Sequence, residues 1–115
     1  MIRLLTLAPL LLAAGCVTSN DMRSRAPELD ATSARSAKDI AGCLGTEWAG
    51  KTMMPVTSVP AGDGYAFSSS SNGNVNILVD VIDEGEQRRV KVYFIKAIVS
   101  LIPEGDHLKL IRGCL

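Results

Sequence analysis

The chain has 115 residues, with twelve basic and twelve acidic side chains, and 4% of its residues are aromatic. This length allows one small domain with a modest core. The balanced charge gives no electrostatic case for binding nucleic acid, and the shortage of aromatic side chains argues against base-stacking or carbohydrate-binding platforms. Small apolar and β-branched side chains must therefore fill the core.

Residues 1–15 have the pattern of a secretory signal peptide. Arg3 supplies a short basic region, and Leu4 to Ala14 form an apolar stretch interrupted by Pro9. An apolar helix needs about twenty residues to cross a bilayer, so this stretch predicts a targeting segment rather than a permanent anchor. We expect residues 1–15 to be removed, which leaves 100 residues.

Small residues lead directly into a cysteine at the end of this segment. The run Leu12-Ala13-Ala14-Gly15-Cys16 resembles the lipobox of bacterial lipoproteins, with Ala13 at the position that usually holds leucine. The resemblance implies that the Cys16 thiol is diacylglycerylated, that the bond before it is cleaved and that the new amine is acylated. Each buried CH₂ contributes about 0.8 kcal/mol, so several acyl chains anchor a protein firmly.

The residues after Cys16 bear on the choice of membrane. In the sorting rule of enteric bacteria, aspartate directly after the lipidated cysteine retains a lipoprotein in the inner membrane, whereas Val17, Thr18 and Ser19 follow here. The resemblance therefore implies a lipid anchor in the outer membrane, with the protein facing the periplasm.

Residues 16–32 are expected to form a lipidated, flexible tether. They are mostly polar and include Pro27. About sixteen such residues have a root-mean-square span of roughly 20 Å. The folded domain should then occupy residues 33–115 and lie near the membrane without resting on it.

With Cys16 assigned to lipid, Cys43 and Cys114 remain. In the oxidising periplasm, an isolated pair in a small domain is most simply a disulfide. That bond would close a loop of about seventy residues and stabilise the fold by roughly 4 kcal/mol through chain entropy. Two distant cysteines and one histidine supply neither a CxxC motif nor a full set of zinc ligands, so no metal or cofactor is expected.

A helix is predicted from Ser33 to about Ala49. Thr32 or Ser33 can cap its start, and Gly50 follows its end. One apolar stripe recurs at the helical period and is formed by Ala37, Ile40, Ala41, Leu44 and Trp48. Because Trp48 lies on this stripe, core packing is favoured over a ligand platform.

After residue 55 the apolar period changes to two, which is typical of an antiparallel meander. The predicted strands cover residues 56–59, 65–70, 75–82 and 87–96. A two-residue turn at Glu84-Gly85 would pair Val79 with Val90, and Asp80 with Arg89 on the opposite face.

The preceding hairpin allows two turns. A two-residue Asn72-Gly73 turn is the commoner signal, and the alternative is a three-residue loop over residues 71–73 with Gly73 left-handed. The longer loop is preferred because it places Tyr65 and Phe67 on the same face as Ile77 and Val79.

The end of the chain is ambiguous between helix and strand. Asp106 can cap a short helix containing Leu108, Ile111 and Arg112, although Leu108 and Leu110 would also suit a strand. With the helix preferred, the predicted class is α+β. An N-terminal helix packs on three or four antiparallel strands, and a short C-terminal helix is joined to the first helix by the disulfide.

No residue pattern indicates catalysis. His107 is adjacent to Asp106, but neighbouring residues point in different directions and no serine lies in a nucleophile elbow, so a solvated surface histidine is expected. The acidic residues Asp80, Asp83, Glu84 and Glu86 lack the spacing of a calcium loop. Across the hairpin, their charges should be neutralised by Arg88, Arg89 and Lys91.

Two non-enzymatic functions follow. The first is a binding or structural module that holds a partner protein of the envelope; the second is a periplasmic inhibitor or immunity protein against a lytic enzyme. The residues Cys43-Leu44, Trp48, Gly64-Tyr65, Tyr93-Phe94 and Arg112-Gly113-Cys114-Leu115 also resemble small proteobacterial lipoproteins of unknown function. That resemblance implies no particular activity.

Overall fold

A computed structural model describes residues 17–52, 55–71, 73–95 and 104–115 of the chain. Within these ranges, one antiparallel sheet of five strands has helices on both faces. The predicted α+β class is confirmed. The prediction of three or four strands is wrong, because a further strand forms inside the segment that was expected to be a tether.

The helices are α1 (Ser19–Arg23), α2 (Ala37–Cys43) and α3 (Glu104–Arg112), and a π-helical segment, Leu44–Ala49, continues α2. The strands are β1 (Leu29–Ser33), β2 (Thr57–Ala61), β3 (Gly64–Ser71), β4 (Asn74–Asp83) and β5 (Arg88–Phe94). Their order across the sheet is β1-β5-β4-β3-β2. The four predicted strands therefore form the expected meander, and β1 extends it beside β5.

The segment predicted to be a flexible tether contains α1 and most of β1. Thr18 caps α1: its Oγ1 accepts a hydrogen bond from the amide of Asp21 at 3.2 Å, and the Asp21 carboxylate accepts one from the Thr18 amide at 2.8 Å. In β1, Leu29 and Ser33 are buried and pair opposite Val92 and Arg88. The prediction failed because β1 is short and polar, so its alternation is weak.

The first predicted helix begins later than expected and changes character. Ser33 ends β1 instead of capping a helix, and Ser36 caps α2 through a 3.1 Å bond from the amide of Asp39. From Leu44 onward the helix takes π-helical form. The apolar stripe is nevertheless buried as predicted, with Ile40, Leu44 and Trp48 fully inaccessible.

The β4–β5 hairpin has the predicted faces but a different register. Val79 pairs with Val92 rather than Val90, because residues 84–87 connect the strands instead of a two-residue turn. A shift of two residues leaves each side chain on its predicted face, since the side-chain period of a strand is two. Asp80 consequently lies opposite Lys91 and not Arg89.

In the β3–β4 hairpin the side chains lie on the predicted faces, but the turn and the register differ from the prediction. Ser71 pairs with Asn74, so two residues join the strands and the preferred three-residue loop is wrong. A register shift between Ser69 and Ser70 then brings Phe67 opposite Val79. Such a bulge reverses the facing of the residues beyond it, which is why the aromatic side chains still reach the expected face.

Apolar clusters fill both faces of the sheet. The main core lies between one face and the helical layer formed by α2, the π-helical segment and α3. A smaller cluster lies on the opposite face, which we call the outer face, where Met22 of α1 packs against Leu78 and Tyr93. The sheet is thus the middle layer of three.

The last helix is α3, as preferred over a strand, and a disulfide joins Cys43 to Cys114 with their Cα atoms 5.5 Å apart. Further bonds hold the same region: Arg35 donates from Nη1 to the Cys114 carbonyl at 2.7 Å, and Ser33 donates to the Leu115 carbonyl at 3.2 Å. The end of the chain is therefore fixed to both α2 and β1.

Candidate binding groove

The outer face is only partly covered by α1. Along β4, Ile77, Val79 and Val81 enter the main core, while Leu78 on the opposite face contacts Met22. Strand alternation directs Asp80 and Ile82 to the outer face as well. Ile82 lies beyond the cover of α1, and 39% of its surface is exposed. The outer face is therefore closed at one end and open at the other.

Arg23, the last residue of α1, forms a bidentate ion pair with Asp80. Its Nε lies 2.7 Å from Oδ2 and its Nη2 lies 2.8 Å from Oδ1. The Asp80 side chain is 10% exposed and the Arg23 side chain 37% exposed. Paired hydrogen bonds of this kind fix geometry as well as charge. The hydrogen bond to Asp80 raises the pKa of Arg23, so the guanidinium stays protonated at neutral pH.

Tyr93 belongs to the same polar cluster. It lies on the outer face of β5, where it packs with Met22 and Leu78. Burial raises the pKa of its phenol, and the negative charge of Asp80 raises it further. The phenol of Tyr93 therefore lies on the same face of the sheet as the Arg23–Asp80 pair.

A groove of about 390 Å³ opens beside this cluster. Its walls are the connection between β2 and β3, the distal half of β4 and the end of α1. The lining residues are Arg23, Ala61, Gly62, Asp63, Gly64, Tyr65, Asp80, Val81, Ile82 and Asp83. At Gly64 the backbones of β3 and β4 approach each other closely. Only glycine fits there, because a Cβ on residue 64 would lie 1.8 Å from the carbonyl oxygen of Val81.

The lining of the groove combines carboxylates with apolar surface. Asp80 is neutralised by Arg23, and Asp83 is 3.6 Å from Arg88 at the edge. Asp63 adds an exposed carboxylate, and Ile82 supplies apolar surface. Such a lining suits a segment that combines a basic side chain with an aliphatic one, since each finds a complementary surface within the same groove.

The disulfide cysteines that the sequence singled out lie elsewhere, whereas Asp80 and Asp83, which were considered and rejected as calcium ligands, line the groove. Cys16 lies outside the described residues. The Cys43–Cys114 disulfide is in the helical layer, where a second hollow of about 320 Å³ is lined by Cys43, Glu47, Lys109, Leu110 and Gly113. The structure therefore does not bring the disulfide and the groove together.

His107 is buried, and the expectation of a solvated histidine is wrong. It is 1% exposed, and its Nδ1 accepts a 3.0 Å hydrogen bond from Nε1 of Trp48. The rings of Trp48 and Phe94 lie 6.4 Å and 5.9 Å from the imidazole. Two adjacent polar residues, Asp106 and His107, are typical of an exposed position. The prediction failed because His107 finds a hydrogen-bond partner, Trp48, inside the core. Trp48 itself is core, as predicted.

Two of the four acidic residues of β4 and its turn are paired as expected, since Arg88 lies 3.6 Å from Asp83 and Arg89 lies 3.4 Å from Glu84. Arg89 also lies 3.6 Å from Asp30 of β1. Asp80 pairs instead with Arg23 from the segment predicted to be a tether, and the ion pairs of the described residues include neither Glu86 nor Lys91. In the described ranges, no three His, Cys, Asp or Glu side chains are grouped as metal ligands would be.

Sequence reasoning missed α1 and therefore Arg23. A signal was present, because Thr18 and Asp21 have the spacing of a helix-capping pair, with Met22 directly after them. None of the helices in the part of the chain that the structure describes has the length and apolar character needed to span a membrane.

Comparison with known proteins gives no significant match to a protein-family model, to a curated protein or to a solved structure.

Proposed function

We propose that this protein is a lipoprotein of the bacterial outer membrane, acylated on Cys16 after removal of residues 1–15, and that its periplasm-facing domain is a non-enzymatic module that binds an envelope protein. The groove beside the Arg23–Asp80 ion pair is the observation that carries the binding role. It is open to solvent, its lining includes both charged and apolar residues, and the Arg23–Asp80 ion pair lies in its wall.

The position in the envelope is supported by the lipobox residues and by the disulfide. A disulfide between Cys43 and Cys114 persists in an oxidising compartment such as the periplasm. Processing at Cys16 would deliver the domain to that compartment. The two features lie in different parts of the chain, the lipobox at residues 12–16 and the disulfide in the helical layer.

Binding is favoured over catalysis by the roles that the reactive side chains already have. The single histidine of the chain, His107, is enclosed between Trp48 and Phe94 and cannot reach a substrate at the surface. In the groove, both side-chain oxygens of Asp80 accept hydrogen bonds from Arg23, which suits fixed recognition better than proton transfer. The groove therefore has the shape and charge needed to bind a partner, and its side chains are not arranged for catalysis.

A photo-crosslinking amino acid at Ile82, introduced in cells that make the full precursor, tests this role. Lys38 is the control site, because it is exposed on α2, which packs on the face of the sheet opposite α1. We expect one envelope protein to be captured from position 82 and not from position 38, and Asp63→Lys to reduce the capture. Equal capture from both sites would contradict the proposal, and capture of a lytic enzyme at position 82 would favour the inhibitor alternative.

A further inference from the structure

The residue that follows Cys16 is fastened to the sheet. The amide of Val17 donates a 2.7 Å hydrogen bond to Oδ1 of Asn74, and the Val17 carbonyl accepts one of 2.9 Å from the amide of Val75. Val17 therefore lies against the first residues of β4, at the end of the sheet where β3 and β4 are joined.

The next residues are held equally firmly. Thr18 caps α1, Met22 is fully buried against Leu78 and Tyr93, and Arg23 pairs with Asp80. Successive Cα atoms are about 3.8 Å apart, so an acyl group on Cys16 must start within a few ångströms of Val17. No length of flexible chain separates that point from the sheet.

The end of the sheet next to Val17 has a surface suited to a bilayer. Val17, Val75 and Ile95 are partly buried apolar residues packed around the outer cluster. The neighbouring strand residues are polar without charge: Ser70 and Ser71 are exposed, Asn74 is half-buried and Asn76 is buried. Such a surface brings no acidic side chain of these strands towards anionic headgroups. The Asp21 carboxylate, one helical turn further on, is engaged by Thr18.

The opposite end of the sheet carries the groove. Ile82 and Asp83 lie at the far end of β4 from Val75, a separation of about 25 Å at the usual rise of a strand. This distal end is highly charged, with Asp63, Asp83, Glu84, Glu86, Arg88 and Arg89. The two ends of the sheet thus differ in charge: the strand residues near Val17 are uncharged and the end with the groove is highly charged.

We infer that the domain sits directly on the bilayer with its β3–β4 end against the headgroups, and that the groove faces away from the membrane. This orientation rests on the proposed lipidation of Cys16. In this arrangement the domain contacts the bilayer directly, whereas the sequence predicted a flexible tether between them. A partner bound in the groove would then lie about one strand length above the membrane, in one orientation.

The test uses the mature lipoprotein in vesicles of phosphatidylethanolamine and phosphatidylglycerol. A fluorophore is placed on Ser70→Cys or on Glu86→Cys, exposed positions at the two ends of the sheet. With Cys16 acylated and Cys43 bonded to Cys114, the introduced cysteine is the free thiol. A short-range quencher on the lipid headgroups should remove most of the emission at position 70 and leave that at position 86.

The matched control inserts a Gly/Ser linker between Cys16 and Val17, which keeps both the lipid and the domain. Near-UV circular dichroism and the intact disulfide establish that this variant is folded. We expect the linker to abolish quenching at position 70. Equal quenching at positions 70 and 86 without the linker would overturn the inference. An intact mass without acyl chains would instead remove the proposed function, and the orientation with it.

Discussion

The indole Nε1 of Trp48 donates a 3.0 Å hydrogen bond to Nδ1 of His107, and this bond joins the π-helical segment to α3 inside the main core. Both side chains are almost completely buried. The bond requires an imidazole that is unprotonated at Nδ1, so the core selects one tautomer of the histidine. A polar contact thus specifies how the two helical elements meet over the sheet.

Replacing the acceptor should destabilise the domain. We expect His107→Leu to lower the free energy of unfolding by about 1–3 kcal/mol, because the buried Trp48 N–H loses its partner. Lys109→Ala, at an exposed site on the same helix, should change it by about 0.5 kcal/mol or less. Urea unfolding followed by circular dichroism measures both. A His107→Leu variant as stable as Lys109→Ala would show that the bond contributes nothing.

The disulfide should account for a substantial part of the stability. Removing it by Cys43→Ala with Cys114→Ala should lower the free energy of unfolding by about 2–4 kcal/mol, since the unfolded chain regains the freedom of a long loop. Reduction of the wild-type domain should reproduce this loss, and a reductant should leave the double variant unchanged. Unfolding curves that coincide with and without reductant in the wild type would refute this role.

The Arg23–Asp80 pair should contribute more to the stability of the fold than the more exposed ion pair between Arg89 and Asp30. Arg23→Ala leaves the mostly buried Asp80 side chain without its partner. We expect it to lower the free energy of unfolding by about 1–3 kcal/mol, which is less than for a fully buried pair because water reaches Arg23. The control is Asp30→Ala, which removes a 3.6 Å contact between side chains that are about 40% exposed and should cost about 1 kcal/mol or less. Chemical denaturation at two salt concentrations compares them. Equal losses would contradict the ranking.

Tyr93 should make the domain sensitive to alkali. Its pKa is raised in the folded state, first by burial and then by Asp80. The unfolded phenol ionises near pH 10, so the stabilisation that depends on its neutral form is fully present below about that pH and is lost as the pH rises through the folded pKa. Tyr93→Phe should lose this decline, whereas Tyr65→Phe, which retains the Tyr93 phenol, should keep it. Unfolding free energies at pH 8 and at about pH 10.5 test the difference, and parallel declines in both variants would exclude Tyr93 as the cause.

Strand faces were predictable from the sequence, whereas registers were not. The alternation of Ile77, Val79 and Val81 fixes which side of β4 is buried, and any register shift of two residues preserves that assignment. The turn at 84–87 and the bulge at Ser69/Ser70 set the actual pairing, and short polar sequences specify such features weakly. The cysteine pairing followed from composition and compartment alone.

The groove itself was not predictable, because it depends on contacts between distant parts of the chain. Arg23 and Asp80 are separated by 57 residues, and the polar segment that carries Arg23 is typical of a linker. His107 illustrates the same limit, since its burial depends on Trp48, which lies 59 residues away. Local patterns identify elements and faces, but long-range polar pairs become evident only once the fold brings them together.

The proposed lipid anchor on Cys16 can be measured as the intact mass of the protein extracted from membranes. Wild type and Cys16→Ser are compared with and without reduction and alkylation. We expect loss of residues 1–15, a mass increase matching several acyl chains on wild type alone, and two thiols alkylated only after reduction. An unacylated wild-type protein with free thiols would show that Cys16 does not anchor the domain.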